Sequence, residues 1–183
     1  ENKNYNFQKA FHYFKLSADR NNDKAQFYLG CIYYFDDYRP KDIKVSIEYF
    51  LKSANQNNKD SLYYLGIIYY SNIDVPRDID KSIYFLSRSA KFGHKYAQAL
   101  LGKIYYDNLY ITRDIDKSLY YLNMSAKLGY AYAQTLIGII YYEGKFVKQD
   151  IKKSIEYFSL ASKQNYPDAQ YYLGIMLYDG KYI

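Results

Sequence analysis

The sequence has no tryptophan, one cysteine and three prolines among its 183 residues. The lone cysteine, Cys31, cannot form an internal disulfide, so cysteine usage gives no argument for an oxidising compartment. It does not exclude one either, so the location stays open, with an intracellular one slightly favoured. No apolar run approaches the roughly 18 residues of a membrane-spanning helix, and the first residues lack the basic and then apolar pattern of a signal peptide.

The charged residues form no block of one sign, although the chain carries a formal charge of +6 and a pI near 9.0. A positive charge makes nucleic acid or an acidic membrane surface conceivable as a partner. The 25 basic and 19 acidic residues are interleaved, however. Interleaving is typical of a generally solvated surface, so we expect nucleic acid not to be the partner.

One glycine recurs along the chain with a period of 36 residues. The copies, each preceded by Leu or Ile and followed four residues later by Tyr, are Gly30, Gly66, Gly102, Gly138 and Gly174. A fixed period of this size without insertions is typical of stacked repeats in which each unit contacts only its neighbours. Glycine inside a helix costs about 1 kcal/mol relative to alanine. We therefore expect a compensating close approach of a neighbouring helix backbone at this position.

Each repeat predicts two helices. The glycine-bearing helix has apolar residues at helical spacing, as in Leu65, Ile68 and Tyr69. The second helix follows an aspartate suited to cap it, at a gain of about 1 kcal/mol; these aspartates are Asp42, Asp78, Asp114 and Asp150. We expect ten helices, at about 5–19, 24–35, 42–56, 60–71, 78–92, 96–107, 114–128, 132–143, 150–164 and 168–179.

Residues suited to the left-handed conformation stand where these helices end. They are Asn21, Asp36, Asn57, Asn72, Gly93, Asn108, Gly129, Gly144, Asn165 and Gly180. We expect one domain over residues 1–183, with about five repeats and partial units at both ends. Because the chain opens within the pattern, we expect it to be a fragment of a longer protein. Aromatic residues make up 21% of the chain, mostly tyrosine, so we expect a core that is largely phenolic.

The combined pattern stands most completely at residues 133–157, with Ala-Gln, a hydrophobic residue before glycine, paired tyrosines and an aspartate followed by Lys-Ser. It resembles the Sel-one-like repeat (SLR) family, relatives of tetratricopeptide repeats, over nearly the whole chain. The second loop glycine typical of that family is replaced by Asp74, Tyr110 and Phe146, and Arg39 stands at the position of Val147. These departures concern the conformation of the loops rather than the stacking.

The resemblance implies an all-α fold, a right-handed α-solenoid of stacked antiparallel helix pairs. It also implies a non-catalytic scaffold or adaptor that binds a protein or peptide partner along a concave groove. By the same analogy the glycine-bearing helices line that groove. No cofactor is implied.

Catalytic and metal-binding arrangements find little support among the residues. The only histidines, His12 and His94, lie far apart in the chain and have no Cys-x-x-Cys motif near them. The recurring serines have no base recurring with them, and we interpret them as small residues at helix contacts; they are Ser46, Ser82, Ser118 and Ser154. We expect neither enzymatic activity nor a bound metal.

Two sets of positions are candidates for partner binding. On the groove side some positions vary between copies, as a specific surface or a drifting one would, and they include Ala99, Thr135 and Asp179. The tyrosine after each glycine recurs, and packing on the next repeat and partner binding both stay open for it. The partner-binding candidates are Tyr34, Tyr63, Tyr70, Lys103, Tyr106, Asp107, Tyr142, Glu143, Tyr171 and Tyr178.

Two other functions stay open. Interleaved tyrosines and lysines could stack the bases of a single-stranded nucleic acid, but the candidate groove is mainly acidic, which is the wrong sign for phosphate; its charged residues are Asp60, Asp107, Glu143, Asp168 and Asp179 against Lys24 and Lys103. The chain could instead be the structural arm of a larger multidomain protein. Pairing of exposed terminal repeats in a homodimer also stays open.

Overall fold

The computed structural model describes residues 2–35, 40–178 and 180. These residues form ten helices and no strand. The helices are α1 (Asn2–Asp19), α2 (Asp23–Phe35), α3 (Ile43–Asn55), α4 (Lys59–Ser71), α5 (Ile79–Lys91), α6 (Lys95–Asp107), α7 (Ile115–Lys127), α8 (Ala131–Glu143), α9 (Ile151–Ser162) and α10 (Pro167–Tyr178). The prediction of an all-α fold with ten helices is confirmed, although α1 begins at Asn2 rather than at residue 5.

The second helix of each repeat begins at its aspartate cap, as the sequence predicts. In α3 the side chain of Asp42 accepts a hydrogen bond from the Val45 backbone N–H at 3.1 Å. The other three aspartates do the same at α5, α7 and α9. Each cap also donates its own N–H to a tyrosine carbonyl of the preceding helix, as Asp114 does to Tyr105 at 3.0 Å. The cap therefore fixes both where the helix starts and how the loop before it is attached.

Left-handed residues end the helices where the sequence places them. The positive φ angles belong to Asn21, Asn57, Asn72, Asn108, Asn165, Gly93, Gly129, Gly144 and Gly180. These types reach that conformation at least cost, because glycine has no Cβ and asparagine bonds locally to the backbone. Asp36, the remaining predicted helix end, and Arg39 lie outside the described residues.

Contacts between Cα atoms group the chain into two compact units, residues 1–94 and 95–183. In the first unit α2 packs most extensively on α3, and α4 on α5. In the second unit the corresponding pairs are α6 with α7 and α8 with α9. Within each unit the pairs are joined by the contacts of consecutive helices, which is the nearest-neighbour packing that the period predicts. The single domain over residues 1–183 stays a prediction.

The buried core is mainly aliphatic, with Phe50, Phe85 and Phe158 as its buried aromatic residues, so the expectation of a largely phenolic core is wrong. In the first unit the central cluster contains Phe50, Leu62, Leu65 and Ile68, none of which is exposed to solvent. In the part of the chain that the structure describes, no tyrosine is fully buried. Tyrosines instead pack around the core as partly buried residues, and the hydroxyls of Tyr34 and Tyr157 donate to side-chain acceptors, because a buried hydroxyl without a partner is costly.

Candidate functional site

The recurring glycine leaves space for a side chain of the following helix, and we call this space the glycine seat. A Cβ on Gly30 would lie 2.5 Å from the ring of Phe50, and one on Gly66 would lie 2.5 Å from Leu86. Leu122 and Phe158 fill the same seat at Gly102 and Gly138. The predicted close approach is confirmed, but its nearest atoms belong to a side chain rather than to the backbone. Gly174 differs, because nothing lies within 4 Å of the corresponding point.

The recurring serine is a hydrogen-bond donor to that glycine. The Ser46 hydroxyl donates to the Gly30 carbonyl at 2.8 Å, and the later serines donate to Gly66, Gly102 and Gly138. All four serines are fully buried. Sequence reasoning identified the serines as small contact residues and missed this bond. The constant spacing of 16 residues between glycine and serine is the signal that indicates it.

In three of the four complete repeats a second serine joins the far end of the helix pair, whereas the corresponding residue on α9 is Ala161. Ser53 donates to the Asp23 carbonyl at 2.7 Å, and Ser125 donates to the Lys95 carbonyl at 2.8 Å. Both acceptors stand at the start of a glycine-bearing helix. The two serine bonds and the glycine seat hold these helices in one orientation, which decides which of their residues remain accessible.

In the first unit the tyrosine Tyr34 reaches into the next loop. Its hydroxyl donates to the Asp74 carboxylate at 2.7 Å, and Asp74 also forms an ion pair with Lys41 at 2.5 Å. Burial and the bond to Asp74 raise the pKa of Tyr34 to about 12. Burial raises the pKa of Asp74, but hydrogen bonds from Lys41 and Tyr34 outweigh it, so the net pKa is lowered. At this position packing on the next repeat uses the hydroxyl of the tyrosine.

In the second unit Tyr106 has the same arrangement with different partners. Its hydroxyl donates to Glu143 at 3.2 Å, and its ring meets that of Phe146 edge-on with centroids 6.1 Å apart. Burial and the negative charge of Glu143 raise the pKa of Tyr106 to about 12. Asp74 and Phe146, two of the residues that replace the family's loop glycine, thus both contact a tyrosine of the preceding repeat.

A basic residue just before the aspartate cap lies over the recurring tyrosine of the same repeat. The Lys41 ammonium lies 4.3 Å from the centre of the Tyr34 ring, and the Arg113 guanidinium lies 5.5 Å from that of Tyr106. Arg113 also lies 3.9 Å from the Phe146 ring and donates Nε–H to the Tyr106 carbonyl. Sequence reasoning missed these cations. Their signal is a basic residue seven positions after the tyrosine.

Tyr63 lies at an aromatic and polar cluster of the first unit. Its ring stacks on His94 with centroids 4.3 Å apart, and His94 Nε2 lies 3.4 Å from an Asp60 carboxylate oxygen. Burial lowers the pKa of His94 to about 4 despite the nearby carboxylate, so the imidazole is neutral at pH 7. Burial and Asp60 raise the pKa of Cys31 to about 12, so this cysteine is a thiol. The cluster offers ring surface rather than a reactive group.

The charged candidates of the second unit compensate one another. Lys103 forms an ion pair with Asp107 one turn later on α6. Glu143, at the end of α8, pairs with Lys145 at 3.3 Å in addition to accepting from Tyr106. The structure therefore brings Tyr106 and Glu143 into contact and pairs Lys103 with Asp107, and these groups present paired charges rather than a field of one sign.

The remaining candidate tyrosines differ in exposure. Tyr70 is half-buried beneath Arg77, whose guanidinium lies 5.9 Å from the ring centre. Tyr142 is half-buried and meets Tyr172 edge-on at 6.0 Å. Tyr171 and Tyr178 on α10 are 66% and 92% exposed. Of the recurring tyrosines, then, the one on α10 presents nearly its whole side chain to solvent.

Two of the variable positions prove to be interior. Ala99 and Thr135 are each only 2% exposed, so the expectation that they face a groove is wrong. Ala99 belongs to the apolar cluster that contains Ala133 and Leu136, and Thr135 donates its hydroxyl to the Ala131 carbonyl within α8. Small side chains at this position are covered by their neighbours, whereas the larger Tyr63 and Tyr171 are not. Asp179 lies outside the described residues.

Neither metal coordination nor membrane insertion is visible in the described residues. Across residues 2–35, 40–178 and 180, no group of three or more histidine, cysteine or acidic side chains is placed to hold a metal ion. The described helices also include none with the length and apolarity needed to cross a membrane.

Comparison with known proteins accounts for the period. A family model described as Sel1 repeat matches residues 3–22, 23–58, 59–94, 95–130, 131–166 and 167–183. The chain belongs to the Sel1 repeat family. Its four complete repeats each run from the start of a glycine-bearing helix to the end of the aspartate-capped helix, with partial repeats before and after them. No curated protein sequence matches the chain.

Solved structures of Sel1 repeat proteins share the fold. A protective antigen present in uropathogenic Escherichia coli strains, which displays an SLR fold, is 28% identical with a TM-score of 0.84 over 91% of this chain and 36% of that one. A Sel1 repeat protein from Oxalobacter formigenes is 30% identical with a TM-score of 0.85 over 94% of this chain and 71% of that one. A putative Sel1 repeat protein from Klebsiella pneumoniae subsp. pneumoniae, at 22% identity and a TM-score of 0.61 over 93% of this chain and 82% of that one, is similar in fold alone.

The chain spans about a third of the length of the Escherichia coli antigen that it matches. Sel1 repeat proteins are generally non-catalytic scaffolds for protein interaction. The predicted family and the predicted class of stacked helix pairs are therefore confirmed.

Proposed function

We propose that this Sel1 repeat chain is a non-catalytic scaffold that holds a peptide, or a surface segment of a partner protein, along its glycine-bearing helices. One observation carries the proposal. The glycine and serine positions make the same contacts in each complete repeat, whereas several outward positions of the same helices differ between repeats and remain accessible. Packing constrains those positions less than it constrains the glycine and the serine, so their exposed surface is available for recognition.

The accessible side chains define the chemistry of the partner. In the first unit Tyr63 and Phe35 present aromatic surface, with Phe35 54% exposed. In the second unit Tyr96 and Tyr171 are 42% and 66% exposed, and α6 also carries the paired charges of Lys103 and Asp107. Tyrosines bring large contact area at little entropic cost and are enriched among binding hot spots. The surfaces suit a peptide with apolar and hydrogen-bonding side chains and no strong net charge.

The tyrosine series contributes to this surface mainly through its ring faces. The hydroxyls of Tyr34 and Tyr106 are already bonded to Asp74 and Glu143. Each of these tyrosines can therefore serve both packing and binding. Its hydroxyl bonds to the next repeat, while part of its ring stays accessible to a partner. Tyr171 and Tyr178, which are far more exposed, are the members of the candidate set best suited to direct contact.

A displayed library of random peptides tests the proposal without knowledge of the natural partner. Peptides selected on the wild-type protein are labelled, and their dissociation constants are measured by fluorescence polarisation. We expect Tyr171→Ala to weaken a selected peptide about tenfold, since truncating an aromatic hot spot costs roughly 1–2 kcal/mol. The charge-neutral double variant Lys103→Ala/Asp107→Ala should weaken binding of peptides that reach α6.

Matched controls come from the aspartate-capped helices. Tyr84 on α5 and Tyr120 on α7 are 55% and 60% exposed, so Tyr84→Ala and Tyr120→Ala remove a similar ring from the other helix of the repeat. We expect both to leave affinity within about twofold while far-UV circular dichroism confirms folding. The proposed surface would be refuted if the selected peptides bound more weakly to Tyr84→Ala or Tyr120→Ala but equally well to Tyr171→Ala. Tight, salt-sensitive binding of a single-stranded oligonucleotide would favour the nucleic-acid alternative instead.

A further inference from the structure

One carboxylate on α4 is exposed without a cation beside it. Asp60 stands in the first turn of that helix, and its side chain is 46% exposed. Across the described residues, no lysine or arginine nitrogen lies within 4 Å of its carboxylate, and the ion-pair partner at that range is His94, at 3.4 Å through Nε2. Burial holds the pKa of His94 near 4, so a neutral imidazole leaves the charge of Asp60 unbalanced at pH 7.

The groups around Asp60 respond to its negative charge. Burial is the main cause that raises the pKa of Cys31 and of Tyr64, and the charge of Asp60 adds to it in both. Burial lowers the pKa of His94, and against it Asp60 raises that pKa by more than Lys59 lowers it. The negative charge of Asp60 therefore outweighs the nearest positive charge, and this part of the first unit attracts a cation.

Two stacked rings lie beside the carboxylate. Tyr63 follows Asp60 by three residues on α4, so the two side chains are neighbours on one face of the helix. The Tyr63 ring stacks on His94 with centroids 4.3 Å apart and an interplanar angle of 29°. His94 is only 7% exposed and holds the tyrosine ring in place, while Tyr63 itself is half-buried. A cation bound to Asp60 therefore lies next to an aromatic ring whose orientation is fixed.

We propose that Asp60, Tyr63 and His94 form a subsite for an arginine side chain of the partner. The guanidinium donates to the Asp60 carboxylate and lies against the ring of Tyr63, which His94 supports from behind. Guanidinium suits this arrangement better than ammonium, because its planar fork bonds both oxygens of a carboxylate and stacks on aromatic rings. The inference rests on the proposed scaffold role, since it names one side chain that the bound segment places on the first unit.

The arginine subsite occurs once among the four complete repeats. The positions of Asp60 and Tyr63 are held by Lys24 and Phe27 on α2, by Tyr96 and Ala99 on α6, and by Tyr132 and Thr135 on α8. An arginine of the partner therefore has one carboxylate and ring of this kind to bind within the complete repeats. The subsite fixes the register of a bound segment, and a single arginine agrees with a peptide that is otherwise uncharged.

A titration with blocked arginine tests the subsite without any peptide. The chain has two histidines, so NMR resolves the ring signals of His94, and the exposed His12 on α1 is an internal control. We expect N-acetyl-arginine methylamide to shift the His94 signals saturably, with a dissociation constant in the millimolar range, and to leave those of His12 in place. The blocked lysine should bind about threefold more weakly, and the blocked glutamine should cause no saturable shift.

Substitutions separate the carboxylate from the ring. Asp60→Asn keeps the shape of the side chain and should weaken blocked arginine about tenfold, whereas Asp80→Asn, at an exposed aspartate on α5 of the same unit, should leave it within about twofold. Tyr63→Phe keeps the ring and should retain binding, and Tyr63→Leu should weaken it about threefold. Circular dichroism checks that each variant is folded. Absence of a saturable His94 shift, equal binding of blocked arginine by Asp60→Asn, or equal binding of blocked lysine overturns the arginine subsite.

The displayed peptides test the same subsite within the proposed function. Among selected peptides that Tyr63→Leu weakens, we expect arginine to be enriched at one position. Replacing that arginine by glutamine should weaken binding to the wild type about tenfold and leave binding to Asp60→Asn unchanged, because both substitutions remove one interaction. Peptides of this group without an arginine preference overturn the subsite while the scaffold role stands.

Failure of the scaffold role is recognised separately. A library that yields no binding peptide counts against the proposed function, and the titration with blocked arginine then decides the subsite by itself. Saturable binding of blocked arginine that Asp60→Asn removes would support the subsite in that case as well.

Discussion

At the scale of single residues, the glycine of each repeat is required by what lies against it rather than by its own conformation. It stands inside a helix, where glycine is unfavourable by about 1 kcal/mol relative to alanine. At Gly102 the seat holds Leu122, whose Cγ would be 2.5 Å and whose backbone nitrogen would be 3.2 Å from an added Cβ. The close fit of the two helices therefore outweighs helix propensity at this position.

We predict opposite signs for the same substitution at two glycines. Gly102→Ala should lower the free energy of unfolding by about 1–2 kcal/mol, because overpacking costs roughly 1–3 kcal/mol and helix propensity returns part of it. Gly174→Ala meets no neighbour and should raise the free energy of unfolding by up to about 1 kcal/mol. Urea titrations followed by circular dichroism at low protein concentration measure both. Destabilisation by both variants to the same extent would contradict the seat.

The limits of sequence reasoning are also clearest at this scale. The glycine, its period and the need for a close neighbour follow from the sequence, because propensity marks glycine as misplaced in a helix. The identity of the neighbour does not follow, since Phe50 and Leu86 lie far along the chain and only packing brings them to the seat. The analogy with tetratricopeptide repeats places Ala99 and Thr135 on a groove-facing surface. Their small side chains are covered by neighbours, which the position in the repeat does not reveal.

At the scale of helices, local chemistry decides where each element begins and ends. The aspartate caps and the left-handed asparagines act within one helical turn, so their positions can be predicted from the sequence alone. The loops before the caps cannot, because Tyr34 bonds to Asp74 in one loop and Tyr106 contacts Phe146 in another. Such pairs depend on which residues two successive repeats happen to carry.

We predict that the cap of α7 contributes through its hydrogen bond. The Asp114 side chain accepts from the Lys117 backbone N–H at 2.9 Å, and Asp114→Ala should lower the free energy of unfolding by about 1 kcal/mol. Asp114→Asn keeps an acceptor and should recover most of that loss. Asp116→Ala, two residues later and exposed, is the control and should change stability by less than about 0.5 kcal/mol. If Asn is as damaging as Ala, the ion pair with Lys117 rather than the cap is responsible.

At the scale of the whole molecule, the tyrosines make stability sensitive to alkaline pH. Burial is the leading cause that raises the pKa of each of several phenols, namely Tyr34, Tyr49, Tyr64, Tyr105, Tyr106, Tyr130, Tyr157, Tyr166 and Tyr172. For Tyr34 and Tyr106 it reaches about 12. The folded chain therefore holds these phenolic protons more tightly than the unfolded chain does.

We predict that the chain unfolds between pH 10 and 12 in a steep transition. A raised folded pKa stabilises the native state fully below the unfolded pKa of about 10, and that contribution is lost as the pH rises through the folded value. Helical content and phenolate absorbance should be followed together during an alkaline titration. The late part of the phenolate signal should coincide with loss of helix. Complete ionisation with unchanged helical content would contradict the prediction.

The spacing between each glycine and its partners also constrains how the gene can change length. The serine donor lies 16 residues after the glycine, and the seat residue follows four positions later, so both lie within one 36-residue segment that starts at a glycine-bearing helix. Duplication or loss of one such segment carries all three residues together. Recombination at any other length would leave a glycine without the side chain that packs on it. We therefore expect this coding sequence to gain or lose whole repeats.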